Sequence, residues 1–321
     1  MFTLSEIQRK TLALMEPRIE QIALLPTVVA KLAALDIESE TATETIEALV
    51  RSDPPLALRL MRLANGGKIE GGTVTTISDA IRQVGSRRLA EMVFALSVVE
   101  VFVPHTAAQR NLWIHSIQTA LASRRLASVH TEHNVSEEES FLAGLLHDIG
   151  RFLIYEHRPR DMAEIDEAHV ADPRDLIAAE IRVCGFDHAT LGYLVCKRLN
   201  LPWSVCEMIR THHFYREQKQ QIAPEVLTLV SMVQEADCLS FGMLGHPDVH
   251  AAHDEALHDW ITHSMRHIRQ SEQILSPTRW VEEIRNIDHD ARIAAEIVDL
   301  SYPGEIPLHA TYKGKPGPNT H

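Results

Sequence analysis

The stretch Gly144–Arg151, with the sequence GLLHDIGR, is the segment that decides how this chain is interpreted. His147 and Asp148 stand side by side at the end of an apolar helical run. Gly144 lies three residues before the histidine, and Gly150 lies two residues after the aspartate. A buried charge needs a partner, and a metal ion is one such partner. Because a lone His-Asp pair occurs by chance in many proteins, its meaning depends on what the rest of the chain supplies.

The composition is typical of a globular protein. It argues against a role as a nucleic-acid coat. Its 321 residues can hold one large domain or two ordinary ones, and 45% of them are hydrophobic and 23% charged. The formal net charge is −13. Residues 77–94 could imitate a helix-turn-helix, but residues 1–105 contain 11 Lys and Arg against 13 Asp and Glu. Without a basic face, we do not expect nucleic-acid binding.

The chain carries no signal for membrane insertion or for disulfide formation. We find no apolar run near the length of about 18 residues that a membrane span requires. The N-terminus, MFTLSEIQRKTLALMEP, has charges throughout and lacks the apolar core of a signal peptide. The four cysteines form no CxxC pair, which indicates reduced, buried thiols. We therefore expect a cytoplasmic protein that does not associate with membranes.

Apolar residues recur at spacings of three and four along the whole chain, so we predict an all-α fold. In the N-terminal part the predicted helices are 4–16, 25–35, 43–51, 53–65, 76–84 and 87–102. Further along, they are 107–130, 138–149, 150–157, 173–184, 188–199, 203–214, 224–242, 249–272 and 278–300. We expect an N-terminal lobe at 1–105, a second lobe at 106–243, a helical extension at 244–300, and a tail at 301–321 without a packed core.

Two polar residues stand on apolar helical stripes. His115 shares its face with Leu112, Thr119 and Leu126, so it points inward. Asp237 lies four residues after Val233, where a carboxylate needs a cation or several donors. Simpler alternatives stay open: the histidine could bond a backbone carbonyl, and the aspartate could pair with an arginine.

Three further histidines lie at helix ends. His188 follows Asp187, which is a good helix N-cap, so the histidine sits in the first helical turn. His212 and His213 end the helix that starts after Pro202. Taken singly, His188 could be a surface residue, and the His212-His213 pair could simply complement a helix dipole.

Taken together, these residues suggest a metal centre. The series offers seven nitrogen and oxygen ligands from separate helices: His115, His147, Asp148, His188, His212, His213 and Asp237. Imidazole and carboxylate ligands without thiolate suit iron, manganese, nickel or zinc. Seven ligands exceed one tetrahedral site. They favour two ions bridged by Asp148, an arrangement that can activate a hydroxide and clamp a phosphoryl group.

The order of these ligands resembles the HD superfamily of metal-dependent phosphohydrolases. GLLHDIGR resembles its central motif, and SMVQEADCLS (231–240) resembles the segment that carries its last aspartate. Leu25-Pro26, DPPLALRLMRLAN (53–65) and ISDAIRQVG (77–85) resemble the HDOD domain, an HD-related output domain of bacterial signalling proteins. The resemblance covers about residues 20–242 and implies an all-helical bundle in two lobes, with the HD remnant in the second.

Several positions depart from the related patterns. Arg151 stands where HDOD proteins usually have lysine after HDIG, and Gly66-Gly67 follow the asparagine where a small residue such as serine is usual. The chain also resembles HD-GYP phosphodiesterases at the ligands, but no GYP motif follows His213. Asn111 replaces the carboxylate of the three-metal type. A site for two metals is therefore the most that we predict.

The resemblance implies a signalling module that binds a partner protein or a nucleotide. Since we recognise no input domain before the bundle, we expect the signal to come from a separate chain or a ligand. The alternative is a binuclear phosphohydrolase or phosphodiesterase acting on a nucleotide or cyclic dinucleotide, with Asp148 as the metal bridge and Arg151 neutralising developing charge. A third alternative is a purely structural ion.

One more histidine cluster could in principle hold a metal. It consists of His250, His253, His258, His263 and His267, on one predicted helix. No carboxylate partners are visible around these residues, so we expect a solvated face.

Overall fold

The computed structural model describes residues 13, 60, 64, 76–85, 102, 104–130, 135–167, 173–198, 201–245, 249 and 251–297. Within these residues the chain is helical and contains no strand, which confirms the predicted all-α class. Apart from isolated residues, the helices predicted before residue 76 and at 87–102 lie outside the described part, and so does the tail at 301–321.

Eleven α-helices are described. They are α1 Ile77–Val84, α2 Ala107–Val129, α3 Glu137–Leu146, α4 Ile149–His157, α5 Pro159–Glu167, α6 Pro173–Cys184, α7 His188–Arg198, α8 Trp203–Thr211, α9 Leu227–Gly245, α10 Asp254–Ser264 and α11 Pro277–Ile297. Short 3-10 turns cover Arg216–Gln221, Pro224–Val226, Met265–His267 and Gln270–Glu272.

The chain divides into two compact units. Residues 25–103 and 293–300 belong to one unit, and residues 104–292 belong to the other. In the first unit, α1 starts at Thr76, whose side chain accepts a hydrogen bond from the Asp79 amide at 3.1 Å. It ends at Gly85, whose φ of 88° is a conformation that favours glycine. Both ends agree with the prediction. The predicted boundary near residue 105 stays a prediction.

The second unit is built around α2, which packs against α3 and α9. Trp113 and Ile114 on α2 are fully buried. A Cβ added to Gly144 on α3 would lie 2.8 Å from the Ala120 Cα, so only glycine allows this approach of α3 to α2.

Helix α7 packs against α4 and α8 in the same unit. Gly150 lies inside α4. A Cβ there would come within 2.0 Å of the His188 carbonyl oxygen. Glycine is therefore needed for the close contact of α4 with the start of α7.

Some helix boundaries differ from the predictions. Helix α5 was not predicted, although Pro159 at its first position suits a helix start. The helix predicted at 249–272 is shorter, because α10 ends at Ser264 and two 3-10 turns follow. Where these helices begin and end depends on packing between distant parts of the chain, which the local periodicity of the sequence does not reveal.

One described helix, Pro224–Met243, is long and apolar enough to cross a membrane, with a mean hydropathy of 1.2. We had expected no apolar run long enough to span a membrane, and this helix is an exception. However, 72% of this stretch is buried inside the protein. A core helix passes the same test, so the helix is weak support for a membrane span.

Candidate metal centre

The structure brings all seven predicted ligand residues into one buried cluster of the second unit. None is more than 7% exposed. They come from five places: His115 on α2, His147-Asp148 between α3 and α4, His188 at the start of α7, His212-His213 after α8, and Asp237 on α9.

His147 and Asp148 can both face this cluster because they lie outside regular helix. Adjacent residues within a helix point about 100° apart. Here His147 is the C-cap of α3 and Asp148 is the N-cap of α4. The break between the two helices therefore turns neighbouring side chains towards one site.

The two carboxylate oxygens of Asp148 face different sets of histidines. Its Oδ1 lies 3.0 Å from the Nε2 of His188 and 3.9 Å from that of His212. Its Oδ2 lies 3.8 Å from the Nε2 of His147 and 3.9 Å from that of His115. Asp148 is thus shared by two groups that could each hold a metal ion: Asp148, His188, His212 and His213, and His115, His147 and Asp148.

Asp237 adds a second carboxylate beside the His115 group. Its Oδ1 lies 3.1 Å from the Nε2 of His115 and 3.6 Å from that of His147. Both oxygens are buried, and neither receives a hydrogen bond of good geometry. The partners of this aspartate in the described residues are imidazoles rather than the arginine of the simpler alternative. A buried carboxylate in this state lacks a cation or donors.

In two of the rings, the nitrogen that points away from the cluster (the outer nitrogen, Nδ1) is fixed as a hydrogen-bond donor by a backbone carbonyl. The Nδ1 of His147 donates to the Gly144 carbonyl at 2.7 Å, and the Nδ1 of His212 donates to the Ile209 carbonyl at 2.7 Å. Since a carbonyl oxygen only accepts, each Nδ1 carries the hydrogen. In the neutral ring the Nε2 therefore presents a lone pair to the cluster.

Two other rings are held by side chains. The Nδ1 of His188 lies 2.7 Å from Glu180 Oε2, and the Nδ1 of His115 lies 2.9 Å from Ser240 Oγ. The Ser240 hydroxyl also lies 2.9 Å from the Oε1 of Gln118, an acceptor for its single hydrogen. His115 is then the donor to Ser240, so its Nε2 too faces inward without a hydrogen.

The nitrogens that point into the cluster (the inner nitrogens, Nε2) approach one another closely. The Nε2 of His115 and that of His147 are 3.1 Å apart, and the Nε2 of His188 lies 3.2 Å from that of His212 and 3.0 Å from that of His213. Two lone pairs at this distance repel unless a proton or a metal ion lies between them. The donor set therefore fits divalent metal, which neutral imidazole nitrogens and carboxylates bind.

The electrostatics of the cluster also fit a cation. Burial raises the pKa of Asp148, but the charges of His147 and His188 outweigh it and hold this pKa well below its usual range. Burial lowers the pKa of His188, yet Glu180 and Asp148 raise it to about 10. Burial, with the charges of His147 and His188, lowers the pKa of His212 to about 3. Without an ion, positive charge is thus supplied by a protonated His188.

Residues 22–215 match the model of the HDOD domain family. The chain belongs to this family. The matched range includes six of the seven cluster residues, whereas Asp237 on α9 lies beyond it.

Solved structures share the fold of this HDOD chain at low sequence identity, and one further protein matches it in sequence. A candidate phosphohydrolase from Shewanella amazonensis SB2B is 22% identical, with a TM-score of 0.64 over 90% of this chain and 98% of its own. A candidate signal transduction protein from Marinobacter aquaeolei VT8 is 17% identical, with a TM-score of 0.63 over 91% of this chain and 66% of its own. An uncharacterised protein of Treponema pallidum is 24% identical over 228 residues. Those residues are 70% of this chain but 44% of the Treponema protein, so the match spans less than half of that relative.

Arg151 of the HDOD chain, predicted as the catalytic cation, is surrounded by carboxylates. Its Nη1 lies 3.5 Å from Asp148 Oδ2, its Nη2 3.8 Å from Asp166 Oδ1, and its Nε 4.0 Å from Glu180 Oε1. Its side chain is 11% exposed. Tyr155 donates to the other oxygen of Asp166 at 2.5 Å. The position of Arg151 fits stabilisation of Asp148, and its predicted role towards a substrate stays a prediction.

Sequence reasoning missed Glu180 and Ser240, which hold the rings of His188 and His115. Glu180 had a recognisable signal, because Leu176 and Cys184 lie four residues to either side of it. This is the same pattern of a carboxylate on an apolar stripe that identified Asp237. Ser240 had no such signal, since a buried serine on a helix is common.

The remaining predictions about histidines and cysteines can be checked in the described part of the HDOD chain. His253, His258 and His263 are exposed, which agrees with a solvated face, whereas His267 is half-buried. His250 lies outside the described residues. All four cysteines are free and buried, as predicted.

Proposed function

We propose that this chain is a signal-transduction protein whose HDOD domain holds divalent metal in the buried His/Asp cluster and binds a signalling partner or a nucleotide. One observation carries the metal part of the proposal: five imidazole Nε2 atoms and two carboxylates converge while their outer nitrogens are largely committed elsewhere. The signalling part rests on family membership.

Two ions suit the cluster better than one. Asp148 faces both groups with separate oxygens, and Asp237 completes the group of His115 and His147. The charges agree, because three buried or half-buried carboxylates (Asp148, Asp166 and Glu180) face Arg151, and Asp237 adds a fourth carboxylate beside His115 and His147. Uncompensated charge of this kind is costly in a protein interior. Mixed imidazole and carboxylate ligands favour iron, manganese, nickel or zinc.

Elemental analysis of anaerobically purified protein tests this proposal. We expect about two equivalents of metal in the wild type. Asp148→Ala should lose most of it, because both groups share this carboxylate. A folded wild-type protein that carries less than about half an equivalent would contradict the metal centre.

A second candidate function is phosphoester hydrolysis of a nucleotide or cyclic dinucleotide. The specific observation in its favour is the division of the Asp148 oxygens between the two groups. Divalent ions held there would supply Lewis acidity towards a phosphoryl oxygen and lower the pKa of a water molecule. In this function Asp148 would hold the two ions together, and Arg151 would stabilise the charge of Asp148.

Two measurements separate these functions. Wild type and Asp148→Ala are assayed for release of phosphate or mononucleotide from cyclic dinucleotides and nucleotides, with manganese, iron(II), nickel and zinc in turn. Turnover by the wild type alone supports the hydrolase. Cellular output is then measured for the His147→Ala, Asp148→Ala double variant, after its folding is verified. If the double variant keeps the cellular output, the result supports a binding module. If it loses both the output and the turnover, the result supports the enzyme.

A further inference from the structure

Glu180 is a fully buried carboxylate on α6 that reaches His188 on the next helix. Its Oε2 accepts hydrogen bonds from the backbone amide of His188 at 2.9 Å and from the ring Nδ1 at 2.7 Å. We propose that Glu180 is a positioning residue of the metal centre, which orients the His188 ring and increases its basicity as a ligand. This inference rests on the metal centre proposed above.

The double contact fixes the ring more firmly than a hydrogen bond to the side chain alone. One oxygen holds both the backbone and the imidazole of His188, so the ring cannot rotate without losing a hydrogen bond in a fully buried position. The hydrogen is held on Nδ1, and Nε2 is left directed at Asp148 Oδ1, 3.0 Å away. A carboxylate behind a ligating imidazole also makes its inner nitrogen a stronger donor to metal.

Helix capping alone does not explain Glu180, because α7 already has a cap. Asp187 Oδ1 accepts from the Thr190 amide at 2.7 Å, and Asp187 Oδ2 lies 3.0 Å from the Thr190 hydroxyl. These are the bonds of an N-cap residue. Asp187 is therefore a matched control: it stabilises the same helix start without contacting the His188 ring.

The second oxygen of Glu180 faces Arg151. Glu180 Oε1 and Arg151 Nε are 4.0 Å apart, and neither atom has a hydrogen-bond partner of its own. The same guanidinium lies 3.5 Å from Asp148. Because no hydrogen bond joins Glu180 to Arg151, Glu180 acts on the centre through His188.

The effect should be confined to one metal position. Of the five imidazoles, His147 and His212 donate to carbonyls and His115 to a hydroxyl, whereas His188 alone has a carboxylate behind its ring. His213 Nδ1 has no hydrogen-bond partner. We therefore expect Glu180 to strengthen the position formed by Asp148, His188, His212 and His213, and to leave the His115 group largely unchanged.

The test measures Zn²⁺ affinity by chelator competition for wild type, Glu180→Gln and Asp187→Ala. Glutamine keeps the shape of the side chain and removes the charge. We expect Glu180→Gln to weaken one Zn²⁺ position by about 10- to 100-fold and to leave the other within about threefold. Asp187→Ala should leave both positions within about threefold, although it loosens the start of α7. Wild-type affinity in Glu180→Gln, or an equal loss in Asp187→Ala, would overturn the proposal.

A second measurement reports on the ring itself. The imidazole N–H proton of His188, assigned by its loss in His188→Ala, should appear far downfield in the proton spectrum because it bonds a carboxylate. In Glu180→Gln it should move upfield, in metal-free and zinc-loaded protein alike. If wild type binds no Zn²⁺, the metal centre fails, whereas an unmoved proton would show that Glu180 does not orient His188. If Glu180→Gln does not fold, Glu180→Asp replaces it. This variant retains the charge beside Arg151 but cannot reach the ring, so undiminished affinity would refute the proposal.

Discussion

Asp148 Oδ1 and His188 Nε2 meet at 3.0 Å in the centre of the second unit, although the two residues start different helices. The contact depends on Gly150, which allows α4 to lie against the carbonyl of His188. It also depends on Glu180, which holds the far side of the ring. The same pair of residues therefore links the packing of two helices to the chemistry of the site.

Ligand variants should separate the two metal positions. His213→Ala should lower the metal content by about one equivalent, because this residue belongs to one group only. Asp237→Asn should likewise lose about one equivalent, from the group of His115 and His147. Asp148→Asn should lose both. Elemental analysis of the three folded variants decides this, and equal losses in all three would contradict two positions that share Asp148.

Removal of metal should lower thermal stability. A ligand that binds only the folded state stabilises it by about 2.7 kcal/mol at a concentration one hundred times its Kd. The ions would join residues of five helices, so chelation should lower the Tm of the wild type by several degrees. Differential scanning calorimetry with and without EDTA measures the change. Asp148→Ala is the control, and its Tm should not respond to EDTA.

Metal uptake should release protons at neutral pH. Glu180 and Asp148 raise the pKa of His188 to about 10, so this ring is protonated in the metal-free protein at pH 7. A metal ligand must be deprotonated. Since the pKa in the folded state is above the unfolded value, the stability from this charge is present below about pH 6.5 and is lost as pH rises towards 10. Titration calorimetry in buffers of different ionisation enthalpy measures the released protons, and an enthalpy independent of buffer would disprove the expectation.

Gly150→Ala should disrupt the contact of α4 with α7. The new Cβ would meet the His188 carbonyl oxygen at 2.0 Å, and a backbone atom cannot move aside as a side chain can. We expect a loss of about 1–3 kcal/mol of folding free energy, together with reduced metal content. Urea denaturation measures the loss. Glu156→Ala on the same helix removes a side chain that is 47% exposed, and it should change stability by less than about 0.5 kcal/mol.

Arg151→Met should lower the stability of the folded protein in the absence of any substrate. The substitution leaves Asp148, Asp166 and Glu180 without the cation that faces them. Removing one partner of a buried ion pair costs about 3–5 kcal/mol. Arg151→Lys keeps the charge but cannot span three carboxylates, so it should recover only part of the loss. Urea denaturation at pH 7 ranks the three proteins. Wild-type stability in Arg151→Met would show that the arginine serves another purpose.

Much of the second unit was predictable because its signals are local. Helical periodicity located α2, α4, α6 and α7 to within about two residues, which is the usual uncertainty of helix ends. The bounds of α1 and the N-cap role of Asp187 were correctly predicted from neighbouring residues. Helix α5 was not predicted.

The candidate site was predictable in its members but not in its arrangement. Polar residues on apolar stripes and at helix ends indicated the seven cluster residues, and their role as metal ligands stays a prediction. The supporting residues were harder to find, because Glu180 acts across two helices and Ser240 lies 125 residues from His115. The role predicted for Arg151 shows the same difficulty, since a sequence does not reveal which carboxylates surround a cation.

The sequence by itself determined the helical class, the family and the residues able to bind metal, because these follow from periodicity, motif order and side-chain chemistry. Only the tertiary structure decided which nitrogen of each ring faces the centre and how Asp148 divides its oxygens between two groups. It also decided which buried groups support His188. Those features depend on contacts between residues far apart in the chain, and such contacts form only when close packing brings separate helices together.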